Sequence, residues 1–235
     1  MIFRQLFDPE SSTYSYLLGD EETRQAILID SVLGSTEQTL LLLEQLDLRL
    51  SVALDTHTHA DHITGLGALR DRTGCTTMMG EQAVASCLTA NFKDGDQITA
   101  GDIKLEVIYS PGHTDDSYSF YLPNETGGML FSGDTLLIRG TGRTDFQNGD
   151  AAQQYNSLFN RLLKLPDSCS VYPGHDYKGW TMSTIGEEKR NNPRLQISNQ
   201  GEYVDLMDSL DLPSPKLMDV AVPANQACGN TQQQL

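Results

Sequence analysis

Thr56-His57-Thr58-His59-Ala60-Asp61-His62 follows directly on the apolar run Leu50-Ser51-Val52-Ala53-Leu54-Asp55, and the pair decides how the rest of the chain is read. The run has the length and side chains of a buried strand. His57 and His59 are two residues apart, so on extended backbone both imidazoles point the same way. Asp61 and His62 are expected to open a helix that continues over Ile63–Thr73, with Leu66 and Leu69 on one face, and to turn back towards the same point. Three imidazoles and a carboxylate within seven residues are a ligand set for zinc, iron or manganese.

The other two histidines fall in motifs of the same kind. Ser110-Pro111-Gly112-His113-Thr114 and Tyr172-Pro173-Gly174-His175-Asp176 each place a histidine after a Pro-Gly turn that aims one side chain. Phe131-Ser132-Gly133-Asp134-Thr135 places a single aspartate after an apolar run, where it can bridge two metals or serve as the lone carboxylate of one. An isolated histidine is ordinarily a hydrogen-bonded core or surface residue. That reading would have to hold for all five histidines of the chain at once, with aspartates placed to match, and a catalytic metal centre accounts for them together.

Around these motifs the chain reads as strand-rich α/β. Ile2–Leu6, Thr13–Leu18 and Gln25–Ser31 are short strands, and Ser35 is the expected N-cap of a helix through Leu40, Leu41, Leu43 and Leu46. A βα stretch is expected around Cys75–Leu88, then strands at Ile103–Tyr109, Ser117–Leu122 and Met129–Phe131. Gly149-Asp150 precedes a helix through Tyr155, Leu158, Leu162 and Leu163, and Ser170–Tyr172 is the last strand. Each motif thus stands at the C-terminal end of a strand, where open α/β sheets carry their active sites.

Composition bounds the alternatives. At 235 residues, 38% hydrophobic and 20% charged, the chain is globular and long enough for a substantial core. The net charge of −16 argues against nucleic acid or an anionic membrane as partner, and an anionic substrate needs a local basic pocket. The four cysteines (Cys75, Cys87, Cys169, Cys228) show no CxxC spacing and are expected to be free thiols. No window approaches the roughly 18 apolar residues of a membrane span, and nothing at the N-terminus reads as a signal, so the expected compartment is the cytoplasm. For a processed eukaryotic chain it would be the mitochondrial matrix.

The set His57-x-His59-x-Asp61-His62 with His113, Asp134 and His175 resembles the metallo-β-lactamase superfamily. Membership implies a single domain over 1–235 with a four-layer αββα sandwich of two mixed β-sheets flanked by helices. Leu137-Ile138-Arg139-Gly140-Thr141-Gly142-Arg143-Thr144-Asp145-Phe146-Gln147 is similar to the persulfide dioxygenases of that superfamily. So are Tyr172–Tyr177, Asn192-Pro193-Arg194-Leu195 and the tail Ala221-Val222-Pro223-Ala224-Asn225 with Cys228-Gly229. The resemblance implies one Fe(II) per chain on His57, His113 and Asp134, the two-histidine, one-carboxylate triad of non-haem oxygenases. It leaves His59, Asp61, His62 and His175 as a vacant second metal site, hydrogen-bonding around the first. It implies glutathione persulfide and O₂ as substrates, sulfite and glutathione as products, and Arg143, Tyr177 and Arg194 as contacts to the tripeptide. Asp176 is read either as fixing a histidine or as capping its own loop. A homodimer would suit such a fold.

Two rival readings belong to other classes. A glyoxalase II-like thioester hydrolase has similar motifs, two metals and a glutathione substrate. Against it stands the region after Asn192, which is short, acidic and ends in Gln232-Gln233-Gln234 instead of a basic helical domain. A metal-dependent sensor would need a recognition helix, basic stripe or long apolar patch, and the sequence offers none.

Overall fold

The computed structural model describes residues 1–213 and 217–229; the glutamine tail lies outside them. Two mixed sheets of six strands are flanked by helices, as expected. The chain gathers into two compact units, one of residues 1–92, 98–104 and 217–229, the other of residues 93–97 and 105–213.

The first sheet runs in chain order: β1 (Ile2–Asp8), β2 (Thr13–Gly19), β3 (Gln25–Ile29), β4 (Arg49–Leu54), β5 (Thr76–Gly80) and β6 (Ala90–Phe92). β1 to β3 pair antiparallel and β3 to β6 parallel. β2 is buried along its whole length, as a central strand covered on both faces must be. The crossovers are α1 (Thr36–Gln45) and α2 (Leu66–Thr73), whose Leu43, Leu66 and Leu69 close a core with Leu17, Leu28, Ala53 and Met79. Parallel register pairs Ile29 with Leu54, so Asp30 and Asp55 leave the sheet at one level.

The second sheet has the order β12 (Ser183–Thr184), β11 (Ser170–Pro173), β10 (Met129–Gly133), β9 (Tyr118–Leu122), β8 (Ile103–Tyr109), β7 (Gln97–Ala100). β8 alternates buried Ile103, Leu105 and Val107 with exposed Lys104 and Glu106, the period of a half-covered strand. The β10–β11 pairing slips between Phe131 and Gly133, directly before Asp134. In the second unit α3 (Ala151–Asn160), α4 (Ile185–Asn191) and α5 (Gln200–Asp208) contribute Leu158, Ile185, Tyr203 and Met207 to a core with Leu130 and Val171. Asp150, Thr184 and Asn199 cap these helices by accepting from the amides of Gln153, Glu187 and Glu202. α6 (Met218–Gln226) belongs to the first unit. Among the described residues no helix is long and apolar enough to cross a membrane.

Four expectations are corrected. The helix after the histidine motif starts at Leu66, not Ile63, and Asp61 and His62 lie on irregular backbone. The amides a longer helix would need are committed elsewhere: Thr64 donates to the Asn225 side chain and Gly65 to the Ser31 carbonyl. The stretch Cys75–Leu88 holds β5 but no helix, and its Cys87 carbonyl accepts from Arg70. Ser35 precedes α1 without a side-chain cap bond. Cys87 and Cys228 form a disulfide with Cα atoms 6.0 Å apart, while Cys75 and Cys169 are free and buried. A pairing across 141 residues leaves no local spacing to read.

Candidate metal centre

The histidine loop of the first unit is built on Asp30. This residue follows β3 with φ +53° and is 1% exposed. Its carboxylate accepts from the Thr56 amide at 2.7 Å and the Thr56 hydroxyl at 3.0 Å. A carboxylate only accepts, so the Thr56 hydroxyl spends its hydrogen there and receives one from His57 Nδ1 at 2.9 Å. His57 Nε2 is left as the basic nitrogen. The chain Asp30–Thr56–His57 is the outer support metal-ligating histidines ordinarily carry.

Asp30 also holds His59, whose Nε2 lies 3.2 Å from Oδ1. His59 Nδ1 and Asp55 Oδ1 are buried with no hydrogen-bond partner among the described residues. Burial lowers the basicity of His59, but the Asp30 hydrogen bond and the charges of Asp30, Asp55 and Asp61 outweigh it and push the imidazole up to about 9. Burial pushes Asp55 up to about 7, against the pull of His59. His62 Nδ1 lies 2.9 Å from Asp61 Oδ2, with the Thr13 hydroxyl 3.2 Å from both. Ligand atoms of His59, Asp61 and His62 fall within 4.8 Å of one another. The loop is clamped by Asn225 of α6, whose Nδ2 donates to the carbonyls of His59 and His62, both at 2.9 Å.

The second unit contributes His113, Asp134 and His175. His113 donates from Nδ1 to the Arg143 carbonyl at 2.8 Å, so its Nε2, 3.6 Å from Asp134 Oδ2, is again the basic nitrogen. Asp134 accepts from His175 Nδ1. Close approach depends on two glycines. Gly112 has φ +139°, and a Cβ there would strike the Gln154 backbone. A Cβ on Gly142 would strike the Asp134 carbonyl and come within 2.8 Å of His113 Nδ1.

The loop from Leu137 to Arg143 is itself anchored. Glu188, fully buried on α4, accepts from the Arg139 amide, the Ser183 hydroxyl and the Asn192 amide, and pairs with the Arg139 guanidinium. Asn192 donates to the Gly140 carbonyl at 2.9 Å. Neither Glu188 nor Asn225 has a local sequence signal for its role, although Asn192 and Asn225 lie in stretches that carried the family resemblance.

The expected tripeptide contacts behave differently from one another. Arg143 grips Asp145 through two 2.7 Å bonds, donates to the Pro213 carbonyl and lies over Phe146. Tyr177 is 74% exposed with its ring stacked beside His175. Arg194 is half-buried, donates to the Thr141 carbonyl at 2.5 Å, and has no carboxylate partner among the described residues; burial lowers its pKa. Asp176 caps its own loop by accepting from the amides of Lys178 and Trp180.

In each unit, imidazoles with a supported ring nitrogen stand with aspartate carboxylates, a donor set that suits a metal of the iron or zinc type. Residues 8–175 match the family model of the metallo-beta-lactamase superfamily, and the chain belongs to that superfamily, whose fold is the one described above. The persulfide dioxygenase ETHE1 of Bos taurus, described as mitochondrial, is 47% identical over 97% of this chain and 89% of its own length. The crystal structure of ETHE1 from Myxococcus xanthus is 54% identical, with a TM-score of 0.94 over 98% of this chain and 100% of that one. Within the superfamily the chain belongs to the persulfide dioxygenases. Glyoxylase B2 of Dictyostelium discoideum, 28% identical over 94% of this chain and 88% of its own length, is a more distant relative.

Proposed function

We propose that this chain, acting as one domain over 1–235, oxidises the terminal sulfur of glutathione persulfide with O₂. One Fe(II) would be held by His57, His113 and Asp134. The balance is one persulfide, one O₂ and one water giving glutathione, sulfite and two protons. The observation that carries the reading is the pair of preset imidazoles: His57 and His113 each donate from Nδ1 to an oxygen acceptor, so Nε2 is the basic nitrogen of both rings. Ferrous iron, when bound, supplies oxygen activation and a site soft enough for a persulfide sulfur.

The residues of the chain orient and exclude. His175 holds the Asp134 carboxylate, and Asp30 holds His57 through Thr56. The Arg194 guanidinium, which has no carboxylate partner among the described residues, suits a glutathione carboxylate, with Arg143 and Tyr177 as further contacts. A single metal accords with the kinship to the persulfide dioxygenases; in that reading His59, His62 and His175 hold aspartates around the centre. The close grouping of His59, Asp61 and His62 favours the dinuclear hydrolase as second reading. A homodimer, and the cytoplasm or mitochondrial matrix as compartment, are part of the same proposal.

The test is oxygen consumption by anaerobically prepared, iron-loaded protein on adding glutathione persulfide. The proposal expects rapid uptake with sulfite formed at one iron per chain, lost in His113→Ala. No uptake, with fast cleavage of lactoylglutathione by zinc-loaded protein at two metals per chain, would establish the hydrolase instead.

A further inference from the structure

The Cys87–Cys228 disulfide has no part in the chemistry above, yet it closes on the segment that holds the histidine loop. Cys228 follows α6 by two residues, with φ +54°, and its carbonyl accepts from Gly67 at the start of α2. Three residues before it stands Asn225, 2% exposed, gripping the backbone at His59, His62 and Thr64. α6 has only nine residues with Pro223 inside it, so it lacks a helical hydrogen bond and has little stability of its own. Its position depends on tertiary ties, and the one covalent tie is the disulfide.

We propose that Cys87–Cys228 is a reversible thiol–disulfide site that sets the position of Asn225 and through it the histidine loop. The inference rests on the metal-centre reading for its effect on catalysis, but not for the coupling itself. Cys87 is half-buried and Cys228 is 2% exposed, so Cys87 is the more accessible half of the bond. A low-molecular-weight thiolate attacks Cys87 Sγ, forming a mixed disulfide and breaking the bond to Cys228, which leaves as thiolate and takes a proton. A second thiolate attacks the small-molecule sulfur of that mixed disulfide. Cys87 leaves, is protonated, and the two small thiols depart oxidised as their disulfide. The same small disulfide drives the reverse. Glutathione, the thiol product of the proposed reaction, is of the class that opens the clasp, so the product and its disulfide would set the state of the loop.

The test compares oxidised full-length protein with protein reduced by a phosphine, alongside Cys87→Ser and Asn225→Asp. Peptide mapping under non-reducing conditions should find the Cys87–Cys228 link. Amide exchange across residues 59–65, Thr64 above all, should accelerate at least tenfold on reduction. Cys87→Ser should exchange fast without reductant and ignore it. Asn225→Asp, which loses both amide donors at nearly the same size, should exchange fast even with the disulfide intact. Iron loss to a chelator should accelerate in parallel. Unlinked cysteines in oxidised protein, or exchange across 59–65 unchanged by reduction, would overturn the proposal. Exchange needs neither metal nor turnover, so a failure of the dioxygenase reading shows separately in the oxygen assay.

Discussion

His175 donates its Nδ1 hydrogen to Asp134, 2.8 Å from Oδ1 and 3.0 Å from Oδ2. The two residues are 41 apart in sequence, and the bond fixes the plane of the carboxylate proposed to hold the iron. Outer partners of metal ligands typically contribute 10- to 100-fold to metal affinity or activity. His175→Ala should therefore weaken iron binding or turnover by about that factor. Iron titration and oxygen uptake measure it, and wild-type values in both would remove His175 from the centre.

Arg194→Ala should raise the KM for glutathione persulfide about tenfold, the size of one charge-assisted hydrogen bond, with kcat little changed. The guanidinium is half-buried and bonded to the Thr141 carbonyl, so Arg194→Lys, without the planar fork, should recover little. Steady-state kinetics decide, and an unchanged KM would take Arg194 off the substrate.

Glu188→Ala should destabilise the fold by about 1–3 kcal/mol, because it takes the acceptor from the Arg139 amide and leaves the Arg139 guanidinium only the Glu187 carboxylate, 3.9 Å away. It should also loosen the Arg143 carbonyl that fixes His113. Denaturant unfolding gives the first effect and iron affinity the second.

Asp20 predicts an acid limb in stability. The amides of Asp102, Glu22 and Thr23 donate to its carboxylate, and these bonds, the one from Asp102 most, pull it down from 3.8 to about 2. A depressed carboxylate stabilises the folded state above its unfolded pKa and loses that contribution as pH falls through the folded one. Asp20→Asn should flatten the fall in thermal midpoint between about pH 4 and pH 2 relative to the parent. An identical slope in the two proteins would dismiss the residue as the cause.

The placement of the motifs was legible in the sequence because it depends on local periodicity. An apolar or alternating run that leads into a histidine or aspartate motif reads as a strand feeding a loop, and β4, β8, β10 and β11 all end that way. What escaped reading is long-range. Asp30 meets Thr56 only because β3 and β4 run parallel in one register. Asn225 reaches His59 across 166 residues. The helix start at Leu66 followed from the same contact, since a local reading cannot know that the Thr64 amide is already bound. The free-thiol reading of Cys87 and Cys228 failed for the same reason, and a compartment argument could not replace a view of the pair in space.

Gly142 carries a consequence for how this chain can vary. Its bare α-carbon lies beside both the His113 imidazole and the Asp134 carbonyl, and even a methyl group would press on both. A saturation library at this codon, screened for iron retention, should return glycine and nothing else, while neighbouring codons admit replacements. The spacing between the imidazole and the main chain of Asp134 is thus guarded by a single hydrogen atom, and a search for new chemistry in this scaffold has to begin elsewhere on the loop.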